Sequence, residues 1–149
     1  MRIVIRLSLL CALLLGLSTP ALAADGDTVS LRAILVSASR EPGKTDRSLS
    51  AYESTLRRIL RFESFQQLGS GRARVAKPGE GKINLGQGHQ LTVSTEASQG
   101  DRVRVQLEWT GGGHSLMRTG LVLRPGVPAV LGGPSRNDHE VYAVIVIAE

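Results

Sequence analysis

Residues 46–61, DRSLSAYESTLRRILR, form the only stretch beyond the N-terminal leader with a sustained helical period. Leu49, Tyr52, Leu56, Ile59 and Leu60 recur at i, i+3, i+7, i+10 and i+11, which gathers them on one stripe, while Arg47, Ser50, Ser54, Arg57, Arg58 and Arg61 point elsewhere. Thr45 or Asp46 can cap the N-terminus, Ser50 and Glu53 have capping-box spacing, and Arg57, Arg58 and Arg61 sit where the helix dipole is negative. Nearly everything downstream reads as strand and turn. A lone amphipathic helix must lay its apolar stripe on a sheet, so the expected fold is α+β: a mainly antiparallel sheet or two-sheet sandwich of about seven to nine strands, with residues 46–61 packed on one face.

Upstream of the helix, 28–37 (TVSLRAILVS) is rich in β-branched residues and apolar on both faces around 33–36, as a central strand would be. Pro42-Gly43 supplies the break before the helix. Downstream, FESFQQL is expected to leave the helix as a strand, with Phe62 and Phe65 closing the core. Gly69-Ser70-Gly71 is expected to turn it into RARVA, Pro78 to Gly81 to turn that into KINL, and Gly86-Gln87-Gly88 to lead into HQLTVSTEA. In RVRVQLEW, Val103, Val105, Leu107 and Trp109 alternate with Arg102, Arg104, Gln106 and Glu108, giving one buried and one charged face. The glycines 111–113 interrupt before HSLMRTGLVLRPG, residues 126–133 form a short apolar piece between turn formers, and 134–139 is a polar loop. The chain finishes in EVYAVIVIAE, a second strand apolar on both faces.

Residues 1–23 read as a secretory signal peptide. Arg2 and Arg6 give a basic start, residues 7–17 an apolar run, and Ala21-Leu22-Ala23 a small-x-small cleavage site. The run is shorter than the ~18 residues of a membrane span, so no membrane span is expected after cleavage near Ala23. Cys11, the single cysteine, leaves with the leader, and the remaining chain can form no disulfide and no thiolate metal site. Of 149 residues, the 126 from Ala24 to Glu149 suffice for one domain with its own core. The domain is mildly basic, 16 Lys and Arg against 13 Asp and Glu once Arg2 and Arg6 are removed. Its cations, mostly arginine, alternate with apolar residues along strands (Arg72, Arg74, Arg102, Arg104), as on a solvated sheet face. Nucleic acid is not an expected partner, since few aromatics offer stacking platforms and the arginines are spread along the chain.

Chemistry-bearing patterns are sparse. Gly111-Gly112-Gly113 precedes a strand instead of a helix and no Gly-Lys-Ser/Thr follows, so a hairpin connection is expected in place of a phosphate loop. His89, His114 and His139 lack zinc-site spacing and each adjoins a predicted loop, so surface positions are expected for all three. No GxSxG elbow exists, and the acids available for paired-carboxylate catalysis (Glu63, Glu80, Glu96, Asp101, Glu108, Asp138) fall mostly on exposed positions. Trp109 continues the apolar face of its strand and is expected in the core. No catalytic residue, cofactor or metal ligand is assigned.

Residues 119–149, with LVLRPGVPAVLGG, a polar loop and the closing strand VYAVIVIA, resemble the strand, turn, Gly-Gly and strand arrangement of the outer-membrane secretin family. The resemblance covers about a fifth of the chain. It implies a link to secretion or envelope assembly, and no ring-forming role in a chain this short. The expected function is a small exported, non-catalytic binding or accessory protein of a bacterial-type cell envelope, periplasmic or secreted, meeting an envelope protein partner through sheet edges or Gly-rich loops. Two alternatives stand beside it: a hydrolase or metal-dependent enzyme using the loop histidines, and a binder of anionic glycan or lipid through the arginine-bearing strands.

Overall fold

In a computed structural model, which describes residues 27–97 and 100–149, two four-stranded antiparallel sheets pack face to face. The signal-peptide reading lies outside the described residues. The elements are β1 (Thr28–Ser39), a 3-10 turn (Arg47–Leu49), α1 (Glu53–Leu60), β2 (Ser64–Ala76), β3 (Gly79–Gly86), β4 (His89–Thr95), β5 (Val103–Gly111), β6 (His114–Leu123), β7 (Ala129–Ser135) and β8 (Glu140–Ala148). One sheet runs β2-β1-β8-β7 and the other β3-β4-β5-β6. The α+β expectation holds: among the described residues there are two antiparallel sheets and one short α-helix.

The two strands read as apolar on both faces, β1 and β8, occupy the middle of the first sheet because each is covered twice. Val29, Leu31, Ala33 and Leu35 face the second sheet and join Ile83, Leu91, Val93, Val105 and Trp109 in the inter-sheet core. Ile34, Val36 and Ala38 face the other way, into a second core with Leu49, Leu56, Phe65, Ala143 and Ile145. The 3-10 turn and α1 together supply the lid of that second core through Leu49 and Leu56, both fully buried, worth about 1.5–3 kcal/mol each relative to exposure.

The helical stretch is shorter than its periodicity predicts. Residues 47–49 form a 3-10 turn, the chain breaks at 50–52, and α1 spans only Glu53–Leu60. The predicted caps are not used: Tyr52 precedes α1 without a side-chain cap. Glu53 instead pairs with Arg57 at 3.0 Å, and the Asp46 carboxylate accepts the Gln67 backbone N–H at 2.8 Å, stapling the approach loop to β2. Ile59 falls off the buried stripe and is 48% exposed.

A second correction concerns Gly69-Ser70-Gly71, expected as a turn. β2 runs straight through it for 13 residues. A Cβ at Gly69 would lie 1.8 Å from the Leu85 carbonyl oxygen, and one at Gly71 2.3 Å from that of Asn84, so the glycines let β3 press against β2 where the sheets meet. A bulge precedes them, with Leu35 opposite Gly69 but Val36 opposite Gln67. The extra residue flips the face of everything before it, which sends Phe65 to the helix side while Gly69 and Gly71 face the second sheet. Thr95 Oγ1 closes this corner by donating to the Ala76 carbonyl.

Candidate functional site: an open seam between the sheets

The sandwich is closed on one side and open on the other. β2 and β3 abut through their glycines, whereas β7 and β6, the opposite ends of the two sheets, face each other without pairing. Among the described residues, each has one hydrogen-bonded neighbour, β8 for β7 and β5 for β6. The edge of β7 is short and interrupted, with a register shift between Gly132 and Ser135 around Pro134. β6 is ten residues long and contains no proline, and its pairing with β5 shifts register once, near its start at Leu116. Its outward N–H and C=O groups form a row that β7 does not satisfy.

Half-buried apolar side chains line this opening: Leu116, Met117 and Leu121 from β6 and Ala129 from β7 pack only partly against the core. At one end lies the link from β6 to β7, where Val127 is 54% exposed and Gly126 donates its N–H to the Ala148 carbonyl. Val122, 52% exposed, stands on the outer face of β6 beside a shallow depression lined by Glu96, Ala97, Arg102 and Arg104.

At the other end an aromatic cluster spans the two sheets. His89 opens β4, Trp109 lies on β5 and Tyr142 on β8. The Trp109 indole N–H donates to His89 Nδ1 at 3.0 Å, and the imidazole lies 4.6 Å from the Tyr142 ring, centroid to centroid. Arg136 stacks over Tyr142 at 5.9 Å. Two glycines leave room for the rings: a Cβ at Gly133 would come within 2.2 Å of Trp109, and one at Gly111 within 2.9 Å of His89. Burial lowers the His89 pKa below 6.5.

The expectation of three surface histidines therefore fails at His89, which is buried among aromatics, and holds for His114 and His139. His89 and His114 share a register row through Gly111, which pairs with both, while His139 sits in the exposed β7–β8 loop. Among the described residues, no three of His, Asp and Glu gather into a group able to hold a metal ion. Trp109 occupies the core as expected. Glu63, Glu96 and Glu108 are paired with Arg57, Arg104 and Arg118 at 3.6, 3.7 and 2.9 Å. The hydrogen bond from Arg118, helped by Ser115, holds Glu108 below the usual carboxylate range, the opposite of what a general acid needs.

Gly112 and Gly113 adopt positive φ in the β5–β6 turn, the hairpin role expected of them. Of the arginines read as a strand-borne cationic face, Arg72 reaches Glu149 at 3.6 Å, Arg74 donates to Thr28 Oγ1, Arg104 pairs with Glu96 and Arg102 is exposed. Arg32, directly opposite Arg72 on β1, shares Glu149 at 3.4 Å and also donates to the Tyr52 hydroxyl. No helix among the described residues is long and apolar enough to cross a membrane. The open seam itself escaped the sequence, where β6 reads as any other strand. Compared with known proteins, the chain matches no family model, no curated protein and no solved structure.

Proposed function

We propose that this chain is a small exported, non-catalytic binding module of a bacterial-type cell envelope, which receives an extended segment of a partner protein along the free edge of β6. The observation that carries the reading is a ten-residue strand with one neighbour among the described residues, lying beside half-buried leucines that an added strand would cover. Strand addition supplies affinity through main-chain hydrogen bonds and selectivity through alternate side chains. The leader-like first 23 residues support action in the periplasm or outside the cell. The catalytic alternative draws on His89, His114 and His139, and the commitment of His89 to Trp109 leaves it weaker support. Binding of anionic glycan or lipid draws on Arg72, Arg74, Arg102 and Arg104, of which Arg72 already reaches Glu149 and Arg104 pairs with Glu96.

Photo-crosslinking tests the proposal. A benzophenone side chain placed at Leu121, in the seam, is expected to give a discrete adduct with an envelope protein, and one at Lys82, on the far strand β3, is not. An adduct at Lys82 alone, or at neither position, would remove β6 as the binding edge.

A further inference from the structure

From Trp109 to Asn137 the chain contains no aspartate or glutamate. That span includes both open edge strands and the link between them, and its charged residues are Arg118, Arg124 and Arg136. Arg118 and Val122 lie on the solvent face of β6, paired across to Glu108 and Arg104, with Gly120 between them beneath the Gln106 side chain. Arg124 follows the strand in the same alternation and has no ion-pair partner among the described residues. Arg118 gives one N–H to Glu108 yet remains 75% exposed, with most of its five donors uncommitted. The positions of β6 that face the seam are apolar or neutral: Met117, Thr119, Leu121 and Leu123. Inward-pointing charges are one device that guards an edge against pairing, and none of these positions carries one.

Resting on the reading of β6 as a strand acceptor, we infer that the segment it receives is an acidic, alternating one, with carboxylates six residues apart and apolar residues between them on the opposite face. Six residues of strand span about 20 Å, the separation of Arg118 and Arg124 along the chain. An incoming strand in register places one acid opposite each arginine, and its inward residues fall opposite Leu123, Leu121 and Thr119, where they cover the seam. The pattern reads the same in both directions, so it suits either strand polarity. Arginine is suited to both contacts, because its planar guanidinium meets a carboxylate through two parallel hydrogen bonds.

The test uses fluorescently labelled heptapeptides of alternating valine and threonine, ending at both termini in glutamate, glutamine or lysine, titrated against the purified protein by fluorescence anisotropy. Two exposed ion pairs worth roughly threefold each predict that the glutamate peptide binds about tenfold tighter than the glutamine peptide at about 0.1 M salt. That margin should vanish near 1 M salt, where the Debye length falls to about 3 Å. It should also vanish in Arg118→Gln/Arg124→Gln, whose circular dichroism and melting temperature report whether the fold is kept. If the glutamine or lysine peptide binds as well as the glutamate one, the acidic preference is wrong while strand addition stands. If no peptide binds, strand addition at β6 fails and takes this inference with it.

Discussion

Trp109 gives its indole N–H to His89 Nδ1 at 3.0 Å, a hydrogen bond between neighbouring strands at the end of the open seam. An imidazole that accepts at Nδ1 must carry its proton on Nε2 and be neutral. Doubly protonated, it would have nothing to accept with, and it would sit against Tyr142 with the Arg136 cation on that ring.

Stability is therefore expected to depend on pH through His89. Its folded pKa lies below 6.5, so below that pH the unfolded chain takes up a proton the folded chain refuses. The contribution is fully present above about pH 6.5 and is lost as pH falls through the lowered folded value. Comparing melting temperatures between about pH 8 and pH 5, His89→Gln should lose less than the parent; an equal loss would place the acid sensitivity elsewhere.

Glycines at contact points should divide by what faces them. Gly133→Ala drives a methyl into the Trp109 ring and is expected to cost about 1–3 kcal/mol in urea unfolding. Gly69→Ala, aimed at the Leu85 carbonyl in the backbone of β3, should cost at least as much. Gly120→Ala meets only the Gln106 side chain at 3.0 Å, which can swing away, and should stay within about 0.5 kcal/mol of the parent.

The two sides of α1 should behave differently although both belong to the predicted stripe. Leu56→Ala opens a cavity between the helix and Phe65, Ile34 and Ile145, at about 2–5 kcal/mol. Ile59→Ala, at a half-exposed position, should cost under about 1 kcal/mol. Equal losses would mean that the helix sits on the sheet in another rotation.

Glu149 bridges two arginines that face each other across β1 and β2. Removing it as Glu149→Gln leaves like charges directly opposed. The expected loss is up to about 1 kcal/mol at low salt, shrinking as salt is added, because all three groups are partly solvated. A loss that does not change with salt would point to packing in place of charge.

Periodicity settled what depends on local chemistry. The alternation of Val103, Val105, Leu107 and Trp109, the apolar runs of β1 and β8 and the turn glycines 86, 88, 112 and 113 all lie where the sequence reading puts them, because a patterned apolar face is driven out of water and a positive φ favours glycine. Where several elements meet, the sequence is ambiguous. LGSGR is as good a turn as a close contact until β3 is laid against it, and the stripe from Leu49 to Leu60 does not show that only Leu49 and Leu56 end fully covered. His89 beside Gly-Gln-Gly reads as a loop histidine, and only the arrival of Trp109, Tyr142 and Gly133 from three other strands makes it a buried acceptor. The order of strands was beyond the sequence for the same reason: burial patterns say that a strand has a covered face, not which strand stands beside it. Which edges stay unpaired, and hence the seam between β6 and β7, follows from how both sheets close around one core.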